Sequence, residues 1–328
     1  MHPVPRLAAW ARAGSRWAAA GLALLGTACG GGSSAPATTP PAPAPTCLQV
    51  GAFTTTGSIV PTVGVDALRE ISGICESGLA PGLLWVHDDD PVGLLHAVTP
   101  TGSVRAQATF AATLYDVEDL ARGPGPVAGA SYLYLADTGD NARARPFVRL
   151  LRIAEPEVPA GAGHVLPVSA EVFVLAYPDG AHDVEALVVD PADGTPYLLE
   201  KDPAGGDVFR VPMPLDPAWT ESAPGTLVRV TSGRPLPADV TAADAAPDGS
   251  RLFVRSYFSA VQLLRPAGQP FEACFTAVPC PFTAPGFGQY EALCVSASGD
   301  ALWTTTELVL GSTVPLQRAP LLEAPTPP

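Results

Sequence analysis

Apolar residues in this chain do not recur at three- and four-residue spacing over any long window. They gather instead in short runs rich in Val, Leu, Phe and Ala, bounded by Gly, Pro and Asp. That pattern predicts strands and turns and almost no helix. Five of the runs share a polar signature: "EISGICES" (70–77), "DVEDLARG" (116–123), "DVEALVVD" (183–190), "DVTAADAA" (239–246) and "QYEALCVS" (289–296). Each precedes a turn and a second strand, such as "SYLYLADTGDN" (131–141) or "RLFVRSYF" (251–258). A third and often a fourth strand follow, as in "FVRLLRIAEP" and "AEVFVLAYP". The repeats start 46, 67, 56 and 50 residues apart. Four-stranded units at such intervals predict an all-β fold, a β-propeller of five blades. Six blades are the alternative, because the 67-residue interval has room for an irregular unit. The fifth unit lacks a strand, and "QVGAFTTTGSIV" (49–60) is expected to supply it, closing the ring and removing the exposed sheet edges.

The chain before that strand has a different character. Residues 1–28 carry Arg6, Arg12 and Arg16 and then "WAAAGLALLGTA", the arrangement of a secretory signal whose apolar run is too short to span a bilayer. "LLGTACG" resembles the bacterial lipoprotein processing site, although Gly26 stands three residues before the cysteine, where Leu is usual. The resemblance implies lipidation of Cys29, and Gly30 after it implies an outer-membrane lipoprotein of the cell envelope. Residues 29–46, "CGGGSSAPATTPPAPAPT", can bury nothing and read as a linker, leaving 47–328 as one propeller domain. Without the signal's three arginines the net charge moves from −14 to −17, which excludes nucleic acid as a partner. Membrane contact is therefore expected through the lipid anchor.

In a propeller the first strand of each blade lines the central channel, and residues two apart share a face. One column there reads Ser72, Glu118, Glu185, Thr241 and Glu291, and the column before it Glu70, Asp116, Asp183, Asp239 and Gln289. Carboxylates converging on a narrow axis repel unless protons, water or a cation compensate them. An all-oxygen set suits a hard cation, and calcium tolerates a loose ring better than magnesium. The order Ser–Glu–Glu–Thr–Glu resembles the calcium-activated nucleotidase (apyrase) family, with Thr241 replacing a serine. That resemblance implies a five-bladed propeller, calcium held by the five-residue column, and calcium-dependent hydrolysis of phosphate esters or anhydrides.

The loops on the same face carry His87, Asp88 and Asp89, then Asp137, Asp140, Asn141, Arg143 and Arg145, then Lys201 and Arg255. With Asp116 and Asp183 they form a candidate ligand-binding face, for a small molecule or an envelope protein. Arginine forks there suit phosphate or carboxylate. No complete constellation of nucleophile and general base accompanies them, so a binding or scaffolding role is the favoured expectation and hydrolysis the alternative. The single "DTG" at Asp137–Gly139 lacks the second copy an aspartic protease needs and reads as a turn. The five histidines lack zinc-site spacing. Export favours disulfides, with Cys274–Cys280 and Cys75–Cys294 the expected pairs and Cys47 left over.

Overall fold

The computed structural model describes residues 45–60, 68–89, 92–232, 236–286, 289–307 and 313–323. The signal segment, Cys29 and the linker up to residue 44 lie outside them. Among the described residues the chain forms five small sheets, each beginning at one of the five repeated segments, and the fold is a five-bladed β-propeller.

The inner strands are Ile71–Glu76, Val117–Pro124, Val184–Val189, Val240–Ala245 and Ala292–Val295. Each pairs antiparallel with the next strand of its own blade. The apolar runs are continuous because each blade is covered on both faces. Five core clusters fill the five gaps between neighbouring blades. The gap between blades one and two, for instance, holds Trp85, Leu95, Leu120 and Leu135, and the gap between blades five and one holds Ile74, Val86, Trp303 and Leu316.

The long interval between the second and third repeats hides no sixth blade. It contains His164–Pro167, which runs parallel to Val104–Thr109 and extends blade one outward. The later strand Gly225–Thr226 extends blade two by pairing parallel with Ala170–Ala176. Closure follows the expected route: Thr54–Ile59 pairs antiparallel with Val314–Leu322, and Gln49–Val50 continues along the same strand.

The disulfide pairing differs from expectation. Cys47 is bonded to Cys280, while Cys75, Cys274 and Cys294 are free and buried. Cys274 lies in the 3-10 turn Phe271–Thr276 and packs with Phe271 and Phe275 into the core between blades three and four. Cys280 stands on the outer strand Cys280–Phe282, where the incoming N-terminal segment passes. That segment is also held by Gln262, whose side-chain amide accepts from Leu48 N–H at 3.0 Å and donates to Leu48 O at 2.8 Å. Cys75 and Cys294 point into different gaps, the first toward blade two and the second between blades five and one, so they do not meet as a bridge.

Candidate functional site

Four of the five channel residues occupy the same structural irregularity. Pairing of the inner strand with its neighbour skips one residue between Ile71 and Gly73, Val117 and Asp119, Val184 and Ala186, and Val240 and Ala242. The skipped residues are Ser72, Glu118, Glu185 and Thr241. A β-bulge leaves its extra residue out of the ladder and re-aims the side chain, which is how a buried strand presents a polar group at the same level in blade after blade. Glu291 directly precedes the fifth inner strand. All five are buried.

The two hydroxyls tie neighbouring inner strands together. Ser72 Oγ donates to Glu118 O at 2.5 Å, and Thr241 Oγ1 donates to Tyr290 O at 3.0 Å. The three glutamates divide into two groups. Lys201 reaches in from the loop of blade three, and its ammonium donates to Glu185 Oε1 at 2.7 Å and to Tyr257 OH at 3.1 Å. Tyr257 OH in turn donates to Glu291 Oε1 at 2.7 Å. Glu118 instead joins Asp89 and Asp116, with ligand atoms within 4.8 Å of one another.

Among the described residues no lysine or arginine forms an ion pair with this second group. Burial, then the charge and hydrogen bond of Asp116, push Asp89 up to about 8. Burial and the charges of Glu185 and Asp116 hold Glu118 well above the usual carboxylate range. Burial also raises Glu185, to about 7, against the lowering effect of Lys201. Glu307 is lifted to about 9 by burial and its hydrogen bond with Glu291. Burial is the first cause of each of these shifts, and neighbouring carboxylates add to it. Asp89 Oδ1 is moreover a buried oxygen without a hydrogen-bond partner among the described residues. The donor set is oxygen only, and the residues present fit a hard divalent cation at Asp89, Asp116 and Glu118.

The "DTGDN" loop builds this group rather than serving as a plain turn. Asp137, at the end of its strand, accepts Tyr115 N–H at 3.1 Å and Asp116 N–H at 2.9 Å, fixing the entry to the inner strand. Asp88 plays the same part in blade one, accepting from Arg69 N–H at 2.5 Å and Glu70 N–H at 3.0 Å. Gly139 then packs against the acids: a Cβ there would stand 2.0 Å from Glu118 Oε1 and 2.5 Å from Asp116 Cγ. Asp140 N–H donates to Asp183 Oδ1 at 2.9 Å, which ties the loop to blade three.

Other residues of the expected face are committed elsewhere. Arg145 donates to Asp137 Oδ1 at 3.0 Å and to Gly139 O at 2.8 Å, and Arg143 pairs with Asp202 at 2.9 Å. Arg255 is fully buried, bonded to Thr304 Oγ1 and Pro285 O, and burial lowers it to about 10. His87 is buried opposite Gly73, and burial lowers it to about 4, so it is neutral; a Cβ at Gly73 would stand 2.2 Å from its Nε2. Asn141 is exposed. His182 hydrogen-bonds Glu200 at 2.8 Å and Asp179 at 3.1 Å, and packs edge-on against Tyr177. The acids around it are answered by Arg229 and Arg143, making a compensated surface network.

The ammonium of Lys201 inside the ring, the proton donated by Tyr257 and the space left by Gly139 were not apparent from the strand repeat. The signal that points to Lys201 is its rarity, since it is the sole lysine of the chain. Fold and channel together define a five-bladed propeller with an acidic channel mouth. No protein-family model and no curated protein matches the chain. The likeness to calcium-activated nucleotidases therefore rests on the channel column alone.

Proposed function

We propose that this chain is an exported binding or scaffolding propeller whose channel mouth takes a calcium ion at Asp89, Asp116 and Glu118, with the bulge residues Ser72, Glu185 and Thr241, and Glu291 before the fifth inner strand, forming the surrounding wall. The observation that carries this reading is the carboxylate trio with the orphan Oδ1 of Asp89, beside Glu185, which is paired with Lys201. A bound cation would supply the missing positive charge. The chain's own residues supply the rest: the bulges aim the oxygens, Asp137 and Asp88 fix the strand entries, and Gly139 leaves the carboxylates room. A propeller with this site suits capture of a small molecule or an envelope protein on the loop face. Hydrolysis of phosphate compounds is the alternative reading; Arg143, Arg145 and Arg255, the guanidinium groups expected to meet a phosphate, are each engaged by protein partners. The Cys47–Cys280 bridge supports an oxidising compartment, in keeping with an exported chain lipidated at Cys29.

Melting the protein at pH 8 in excess calcium and in chelator tests the site. Calcium at a hundredfold excess over its dissociation constant is expected to stabilise by about 2.7 kcal/mol. Glu118→Gln should show two opposite effects, a higher melting temperature than wild type in chelator, because repulsion is relieved, and no response to calcium. No calcium shift in the wild-type protein would sink the proposal.

Gly139→Ala separates site from fold. The added methyl meets first the ends of the Glu118 and Asp116 side chains, which must shift to admit it. Stability in chelator is expected to fall by about 1–3 kcal/mol, while the calcium response disappears. An unaltered calcium response in Gly139→Ala would show that the cation, if bound, sits elsewhere.

A further inference from the structure

The inner strands end on the far side of the channel from the acidic mouth, and there they line a cavity of about 330 Å3. Cys75, Arg122, Val189, Asp244 and Val295 bring each of the five strands to its wall. Leu79 and the prolines Pro124, Pro191 and Pro247 add apolar surface. Two carboxylates also belong to this wall, and both are already used. Glu76 accepts Gly82 N–H at 2.6 Å on one oxygen, and Ala297 N–H at 3.2 Å and Trp303 Nε1–H at 3.1 Å on the other. Asp244 accepts Ala245 N–H and Val295 N–H, each at 2.8 Å.

The donors on the same wall are unused. Among the described residues the Arg122 guanidinium makes no hydrogen bond and no close ion pair, although it lines the cavity, where its charge acts on Asp244 and Cys75. Ser131 Oγ, also on the wall, is buried with no partner. The two are brought together by a glycine: a Cβ at Gly78 would stand 2.6 Å from Ser131 Oγ and 3.2 Å from Arg122 Cδ. A guanidinium presents five donors in a planar fork that matches a carboxylate. A guanidinium fork and an orphan hydroxyl on the wall of a cup of small-molecule size, with Leu79 and three prolines on the same wall, suit a carboxylate on an apolar body. The neighbouring Asp244 and Glu76 disfavour a doubly charged anion.

We propose that this far mouth of the channel is a binding site for a small organic monocarboxylate, held at its charged end by Arg122 and Ser131 and along its body by Leu79, Val189 and Val295. The site does not depend on a cation at the acidic mouth.

Calorimetric titration of the full chain with sodium benzoate and sodium hexanoate, and in a separate arm with inorganic phosphate, tests it. Saturable binding of at least one carboxylate is expected, with a dissociation constant of about 1 mM or tighter. Arg122→Gln should weaken it about tenfold or more, and Ser131→Ala about threefold. Phosphate should not saturate. Circular dichroism checks that Arg122→Gln folds; if it does not, Ser131→Ala alone decides, since it removes only a hydroxyl without a partner. The proposal is overturned if neither carboxylate binds saturably, if binding is undiminished in the folded variants, or if phosphate binds more tightly than both.

Discussion

Replacing Lys201 with methionine is expected to destabilise the calcium-free protein by about 3 kcal/mol at pH 8 and by far less at pH 5. Methionine keeps most of the stem and removes the ammonium that sits 2.7 Å from Glu185 Oε1. Burial would lower the pKa of Lys201, but Glu185 and Tyr257 hold it above its ordinary value, so the ammonium is charged across the whole range. The pH dependence therefore comes from Glu185. Its folded pKa is about 7 against an ordinary value of 4.5, so the folded state holds the extra proton and stability falls as pH rises between the two. Without the ammonium the folded value moves higher still, and the decline continues further into alkaline pH. At pH 5 Glu185 keeps its proton in the folded state with or without Lys201, and little is lost. Urea denaturation of both proteins at the two pH values measures this. An equal loss at both would mean that Lys201 contributes through packing and not through charge.

The second large effect concerns the Cys47–Cys280 bridge. Its removal by Cys280→Ser is expected to cost about 3–5 kcal/mol. The bond closes a loop spanning 233 residues of sequence, nearly the whole propeller, and constraining so long a loop restricts the unfolded chain strongly. Cys274→Ser should leave the bridge in place. Mass spectrometry of the unreduced digest distinguishes the cases: a peptide joining Cys274 to Cys280 would refute the pairing, and a midpoint in urea indifferent to Cys280→Ser would refute its contribution.

The blades were legible because each repeat combines a two-faced apolar strand with a polar residue at one fixed place, and both features are local. The bulges were not, since a skipped residue shows only when the partner strand is present; in the sequence Glu118 simply alternates with its neighbours. The 67-residue interval left the blade number open because a parallel edge strand such as His164–Pro167 belongs to the sheet of an earlier repeat. The disulfide was misread for a related reason. Cys274 and Cys280 are close in sequence, but one faces the core and the other the outer edge, and the partner comes from the opposite end of the domain. The column of oxygens recurs once per repeat, at the bulge of four inner strands and just before the fifth. Its division into a neutralised half and an uncompensated half depends on where the long side chain of Lys201 ends, which no strand pattern records.

The way the first described residues are fastened has a mechanical consequence. Closure of the ring relies on hydrogen bonds between Thr54–Ile59 and Val314–Leu322, which would otherwise be peeled or sheared by tension on the chain before them. Cys47 comes earlier and is bonded to blade four. A pull arriving from upstream is thus taken up by a covalent bond in the neighbouring blade, and the closing strands are shielded from it. Under oxidising conditions the propeller can be tugged by its leading segment without its ring being unzipped; once the bridge is reduced, the same force falls directly on the seam.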